Sequence, residues 1–192
     1  MLAPLFILSG PSGSGKSTLL RRLLAEPEPP LRLSVSATTR QPRNKEQDGV
    51  HYHFWTRERF EGAVKADAFL EWADVFGNFY GTLRSEVEPF RQQGIGVFLD
   101  IDVQGAAQVR QNCPDAVTIF LRASSLEVYE QRLRGRGTET EAAIQRRLDG
   151  ARRELARVGE YQYTVINDDL DTAVAELRAI VRRHFERNKN AG

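Results

Sequence analysis

An apolar run, LFILS (Leu5–Ser9), leads directly into GPSGSGKST (Gly10–Thr18), and the chain leaves through LLRRLLAE. The segment fits G-x-x-x-x-G-K-[ST] in full, with Gly10, Gly15, Lys16 and Ser17 at the fixed positions. Glycine tolerates backbone angles other residues avoid, so several N–H groups can turn onto one anion while the following helix presents its positive end. Gly10, Pro11, Ser12, Gly13, Ser14, Gly15, Lys16, Ser17 and Thr18 therefore form a candidate nucleotide-phosphate cradle. In this motif the lysine pairs with β and γ phosphates and the hydroxyl of Ser17 faces Mg²⁺. The context agrees: LFILS is short and apolar like a buried parallel strand, and Leu19, Leu20, Leu23 and Leu24 recur at helical spacing.

Length bounds what surrounds this loop. A chain of 192 residues supports one well-buried core with small appended lobes. Lys and Arg number 27 against 26 acids, so the net charge of +1 gives no reason to expect nucleic acid or an anionic membrane as partner. Cys113 is the single cysteine, which excludes an intramolecular disulfide and suits a reducing cytoplasm. The N-terminal stretch lacks a basic segment and is too short for a signal peptide, and no run approaches the roughly 18 apolar residues of a membrane span.

Three further apolar runs read as central strands, around Val97–Ile101, Val117–Leu121 and Tyr163–Asn167. Each adjoins helical sequence, the mark of β/α alternation and of an α/β fold with a mostly parallel sheet flanked by helices. The last helix is expected to start at Asp169 or Asp171 as N-cap, and its Arg178, Arg182 and Arg183 read as solvated charge. Two stretches break the rhythm. Ser34–Thr82, rich in Thr, Tyr, Phe and Trp with hairpin breaks at DGV and FGN, reads as an inserted strand-rich lobe. In Glu130–Arg157 arginine outnumbers acid eight to five, giving either a solvated helical hairpin or an arginine-bearing flap over the phosphate loop. His51, His53 and His184 have no metal-ligand spacing, and Trp55 and Trp72 read as packing residues.

A phosphate loop alone does not separate switch, motor and kinase. Asp102 to Gly105 spell D-x-x-G, but the guanine-reading N-K-x-D of GTP switches is missing: NDD at Asn167 lacks the lysine and NKNA lacks the aspartate. A kinase for a small phosphorylated acceptor predicts a second anion site, and SATTRQPR offers Arg40 and Arg43, three apart around Pro42, as two guanidinium forks for one phosphate. Tyr52 and Tyr80 add hydroxyls nearby. VFLDID puts Asp100 and Asp102 at the carboxyl end of a strand, where open α/β sheets bind ligands. Asp102 reads either as support for Asp100 or as a helix cap.

SGPSGSGKST, SVSATTRQPR, FLEWADVFGNFYGT, LDIDVQG, LRGRGTETE and VINDDLD occur in the order and at the spacings of guanylate kinases, over nearly the whole chain, and the sequence resembles that family. The resemblance implies a single domain with core 1–33, 83–125 and 158–192, a GMP-binding lobe 34–82 and a lid 126–157. It implies transfer of the γ-phosphoryl group of ATP to GMP, with dGMP as a further acceptor and Mg²⁺ as cofactor. Arg40, Arg43, Tyr52 and Tyr80 match positions that hold the acceptor phosphate, and Glu71 matches the carboxylate that accepts from guanine N1–H and the 2-amino group. Ser36 and Thr82 match hydroxyls near the base; some relatives carry serine where this chain has Thr82, and the hydroxyl is kept. Asp100 matches a contact to the acceptor, or to Mg²⁺ through water. Lys16, Arg136 and Arg147 match catalytic cations, the two arginines on the lid. Arg132 and Asn167 match positions at the ATP end. Related modules that bind peptides without catalysis are the competing class; they predict damage to the loop lysine or the lid arginines, and neither is damaged here.

Overall fold

The computed structural model describes residues 1–75, 77–135 and 140–190. In chain order the elements are β1 (Leu5–Ser9), α1 (Lys16–Leu24), β2 (Leu31–Leu33), β3 (Ala37–Thr38), β4 (His53–Phe54), α2 (Arg57–Lys65), β5 (Phe69–Val75) and β6 (Asn78–Leu83). They continue with α3 (Glu88–Gln92), β7 (Gly96–Asp100), α4 (Val103–Asn112), β8 (Val117–Arg122), α5 (Leu126–Arg134), α6 (Glu141–Leu155), β9 (Tyr163–Ile166) and α7 (Leu170–Asn190).

β1 lies at the centre of a five-stranded sheet ordered β2-β7-β1-β8-β9, parallel throughout. Its unbroken apolar sequence follows from burial on both faces. Phe6 and Leu8 pack with Leu19, Leu20 and Leu23 of α1 and Leu177 and Val181 of α7, while Leu5 and Ile7 pack with Val103, Ala106 and Val109 of α4. Each such side chain contributes about 1.5–3 kcal/mol on leaving water. The expected strands appear within a residue or two of their expected ends. β2 was not anticipated: it is an edge strand of three residues, half-exposed, directly after Pro29 and Pro30.

The second sheet, ordered β4-β3-β6-β5, is antiparallel except where β3 and β4 run parallel. It has its own small core of Ala37, Phe60, Phe69, Phe79 and Leu83, with Trp55 against it. Phe60 comes from α2, a helix not expected in a strand-rich stretch, and stacks on Phe69 with ring centroids 4.4 Å apart. Glu86 ties this sheet to the first: it accepts from Arg32 of β2 at 2.6 Å and meets His53 of β4 at 3.0 Å. α5 and α6 pair around Tyr129, Leu133, Ile144 and Leu148, and Arg134 bridges them through Glu141.

Helix starts follow capping chemistry. Asp102 accepts from Gln104 and Gly105 N–H, Thr140 from Ala143 N–H, and Asp169, not Asp171, from Thr172 N–H. Arg178 departs from its expected solvated role: it donates to Glu26 and fastens α7 to the end of α1. Among the described residues no helix is long and apolar enough to cross a membrane.

Candidate active site

The register Leu8↔Asp100 between β1 and β7 places the loop after β1 and the end of β7 side by side at the carboxyl edge of the sheet. The loop needs two of its glycines there. Gly10 has φ +150° and a Cβ on it would lie 2.1 Å from the carbonyl oxygen of Leu121; Gly15 has φ +94° and a Cβ would lie 2.4 Å from Asn167 Nδ2. Lys16 Nζ donates to Gly10 O at 2.5 Å, folding the side chain over the loop. Ser17 follows in the first turn of α1, and Thr18 lines a groove with Gly13, Gly15, Arg132 and Asn167.

Asn167 is buried, and its Nδ2 donates to Ser14 O at 2.7 Å. The side chain is thus a brace for the loop, and Arg132 in turn donates to Asn167 O at 2.5 Å. Ser14 Oγ is buried without a hydrogen-bond partner among the described residues. Arg147 of α6 crosses to the loop, its Nη1 donating to Ser12 Oγ at 2.6 Å. Arg136 lies outside the described residues.

Facing the loop is a cavity of about 200 Å³, lined by Ser36, Tyr52, Glu71, Tyr80, Asp100 and Asp102 together with Ala73, Val75, Gly81 and Ile101. Glu71 is buried on β5, and Thr82 of β6 donates its hydroxyl proton to Glu71 Oε1 at 2.7 Å. Burial raises the Glu71 carboxyl to about 7; the Thr82 bond opposes this and the Asp102 charge adds to it. Asp100 is also raised by burial, against the pull of Lys16. Burial, then the charge of Asp100, raises the Tyr52 phenol. Asp102 is both a cavity wall and the cap of α4, so neither reading of it displaces the other.

The two arginines expected to converge do not share one acceptor through their side chains. Arg40 donates through Nε to Tyr80 OH at 3.1 Å and forms a two-point pair with Glu46 at 2.9 and 3.0 Å. Arg43 is exposed, and its backbone N–H donates to Glu46 at 2.6 Å. Glu46 escaped sequence reasoning; the signal was its place three residues after Arg43 in R-x-x-R-x-x-E. The Arg40 bond, then the Arg43 N–H, holds the Glu46 carboxyl down at about 2, so it is an anion at any physiological pH. Tyr52 and Tyr80 meet edge to face at 5.9 Å, with the Arg40 guanidinium 5.5 Å from the Tyr52 ring. Cation, phenols and carboxylate so form one preorganised cluster, and its two phenols, Tyr52 and Tyr80, line the cavity.

The donor set suits a cation that draws most of its ligands from phosphate and water. Ser17 offers a hydroxyl at the helix start and Asp100 a half-buried carboxylate near Lys16, whereas no group of three or more His, Cys, Asp or Glu that could hold a metal ion exists among the described residues. Cys113 is half-buried with its thiol pushed up by burial, as a packing residue would be.

The chain is similar to known proteins over nearly its whole length. The family model described as guanylate kinase matches residues 3–184. The chain is 49% identical over 178 residues to a guanylate kinase of Shewanella violacea, covering 93% of this chain and 86% of that one. It is 49% identical over 189 residues to one of Neisseria gonorrhoeae, covering 98% and 92% respectively. The crystal structure of guanylate kinase from Anaplasma phagocytophilum superposes with a TM-score of 0.74 at 31% identity, over 95% of this chain and 86% of the other.

Proposed function

The chain belongs to the guanylate kinase family, and we propose that it transfers the γ-phosphoryl group of ATP to GMP, giving ADP and GDP, in the cytoplasm. One observation carries the reading. Glu71, held by the buried Thr82 hydroxyl, lines one cavity with Tyr80, whose hydroxyl accepts from Arg40, and Asp100 of the same cavity stands beside a complete phosphate loop. A base with adjacent N–H donors and a phosphate at its far end fits that spacing of acceptor and cation.

Glu71 accepts from guanine N1–H and the 2-amino group. Adenine has neither donor and would leave the buried carboxylate with the Thr82 hydroxyl but no donor from the base, a loss of ~10⁴-fold or more at a closed polar site. Arg40, Arg43, Tyr52 and Tyr80 hold the acceptor phosphate, Ser36 and Thr82 serve the base, and Asp100 lies between acceptor and donor. These groups address base and phosphate, which leaves dGMP as a second acceptor. The donor's phosphates lie on the backbone of Gly10–Thr18, with Lys16 exchanging its bond to Gly10 O for their oxygens. Arg132 and Asn167 line the far end of the donor groove.

Phosphoryl transfer asks for alignment and charge neutralisation more than for covalent help. Ser17, and Asp100 through water, would hold Mg²⁺, which would supply charge neutralisation on the phosphates when bound. Arg147 and Arg136 belong to a lid, residues 126–157, that closes with the lobe 34–82 onto the core 1–33, 83–125 and 158–192. A cation that arrives on closure favours the transition state over the open ground state, and closure keeps water from the donor.

ADP formation from ATP and Mg²⁺ should require GMP and fail with AMP, CMP or UMP, and Lys16→Ala should abolish it. A folded protein that transfers to none of the four acceptors would overturn the reading and favour a binding module.

A further inference from the structure

We propose that one face of α4, formed by Gly105, Gln108 and Asn112, positions the Glu71 carboxylate, and that the missing side chain at 105 sets how the acceptor base is read. The inference rests on the reading of Glu71 as the group that reads that base.

Residues 105, 108 and 112 lie three and seven apart and share a helix face. That face runs along β5, the last strand of its sheet. Gln108 Nε2 donates to Trp72 O at 2.9 Å, and Gln108 Oε1 accepts from Trp72 N at 3.3 Å. Asn112 Nδ2 donates to Leu70 O at 2.8 Å. The bonds fall on the residues immediately before and after Glu71 and fix the height of the strand along the helix. They also satisfy edge groups that a strand with one neighbour leaves open.

Gly105 supplies the remaining point of the face. A Cβ there would stand 2.7 Å from Glu71 Oε2 and 3.1 Å from its Cδ, which is inside contact distance. Nothing in the helix itself asks for glycine: the backbone is helical, and alanine is the better helix former. Gly62 in α2 and Gly150 in α6 have open space where a Cβ would go. Gly105 is therefore the helical glycine, among the described residues, whose missing methyl is occupied by a buried acceptor of the site. The same residue completes the D-x-x-G string, and its N–H is one of the two that Asp102 caps. A methyl would displace the far end of a flexible side chain, so the fold should survive while the paired acceptor geometry does not.

Gly105→Ala should fold with a thermal midpoint close to wild type. Its KM for GMP should rise about ten- to a hundredfold, the scale of an ångström-sized misplacement, with KM for ATP unchanged and kcat at saturating GMP nearly kept. In a Glu71→Ala background the space is vacated, and adding Gly105→Ala should change KM for GMP by less than about twofold, the non-additivity expected of touching residues. Gln108→Ala, which adds no atom beside Glu71, should raise KM for GMP severalfold and leave KM for ATP alone. An unchanged KM for GMP in Gly105→Ala, or the same penalty with and without Glu71, would overturn the inference and leave the kinase reading standing. A protein unfolded by Gly105→Ala in both backgrounds would locate the constraint in the helix and also overturn it. Failure of the wild-type protein to use GMP would instead defeat the reading on which the inference rests.

Discussion

Burial lifts the Glu71 carboxyl from its ordinary 4.5 to about 7, yet only the ionised group accepts two donors from guanine. In the free protein the acceptor form is therefore depleted as the pH falls through about 7, and kcat/KM for GMP should fall with it. A profile measured with KM for ATP as internal control should show the inflection in Glu71 protein and lose it in Glu71→Gln; an inflection that survives would assign it to another group. The same shift acts on stability. Between pH 4.5 and 7 the native state holds a proton that the unfolded chain has released, so stability declines as pH rises through that window. The full cost, present above pH 7, is ~3 kcal/mol. Glu71→Gln removes the charge and keeps the oxygen that Thr82 addresses. At pH 8 it should melt higher by up to ~10 °C, while its KM for GMP rises ~100-fold. A lower midpoint at pH 8 would show that the ionised carboxylate is fully stabilised by its surroundings without a ligand.

Helices and strands put such residues in range, and two elements make this testable. The junction of β1 with α1 passes under the end of β8, where Gly10 combines φ +150° with a site at which an added Cβ would lie 2.1 Å from Leu121 O. Gly10→Ala should lose ~3 kcal/mol or more and lower the thermal midpoint by ~6–12 °C; an unchanged melt would mean that the loop relaxes freely. α6 carries Arg147 across to Ser12. Arg147→Ala should cut the turnover number by ~10²–10³ while KM for GMP changes little, and an unchanged turnover number would sink the lid assignment. Among the strands that sequence showed, β1, β7 and β8 are continuous apolar runs because α helices cover each side, while β9 is a half-buried edge strand. β2 was hidden because three half-exposed residues carry no period, and α2 because Phe60 is its one buried side chain. The acceptor-side residues were legible where their chemistry is unusual, as with the two arginines around Pro42. Glu46 was not: a carboxylate among basic residues looks like solvated charge until the fold turns it onto Arg40.

Across the whole molecule, a cleft of about 510 Å³ opens between β5 with the start of α4 on one side and α6 on the other. Asp74 and Val75 of β5 and Asp102, Val103 and Gln104 at the start of α4 line one wall, and Gly150, Arg153, Glu154 and Arg157 around α6 line the other. Its walls carry both signs of charge, and burial already raises the Glu154 carboxyl, so narrowing the cleft pairs opposite charges while removing water between them. The antiparallel sheet with α2 and the α5–α6 pair each hold a small core of their own, around Phe60 and Phe69 in one and Tyr129 and Leu148 in the other, so each would keep that packing if the cleft narrowed. A compact chain of this length has a radius of gyration near ~16 Å. Small-angle X-ray scattering with GMP and a non-hydrolysable ATP analogue together should lower it by about 0.5–1 Å relative to the free protein, with a smaller change for either ligand alone. Arg147→Ala should weaken the response to the ATP analogue and keep the response to GMP, because the first draws α6 and the second draws the sheet of β3–β6. An unchanged radius with both ligands demonstrably bound would mean that transfer proceeds without closure, and the cation of α6 would then have to act from where it already stands beside Ser12.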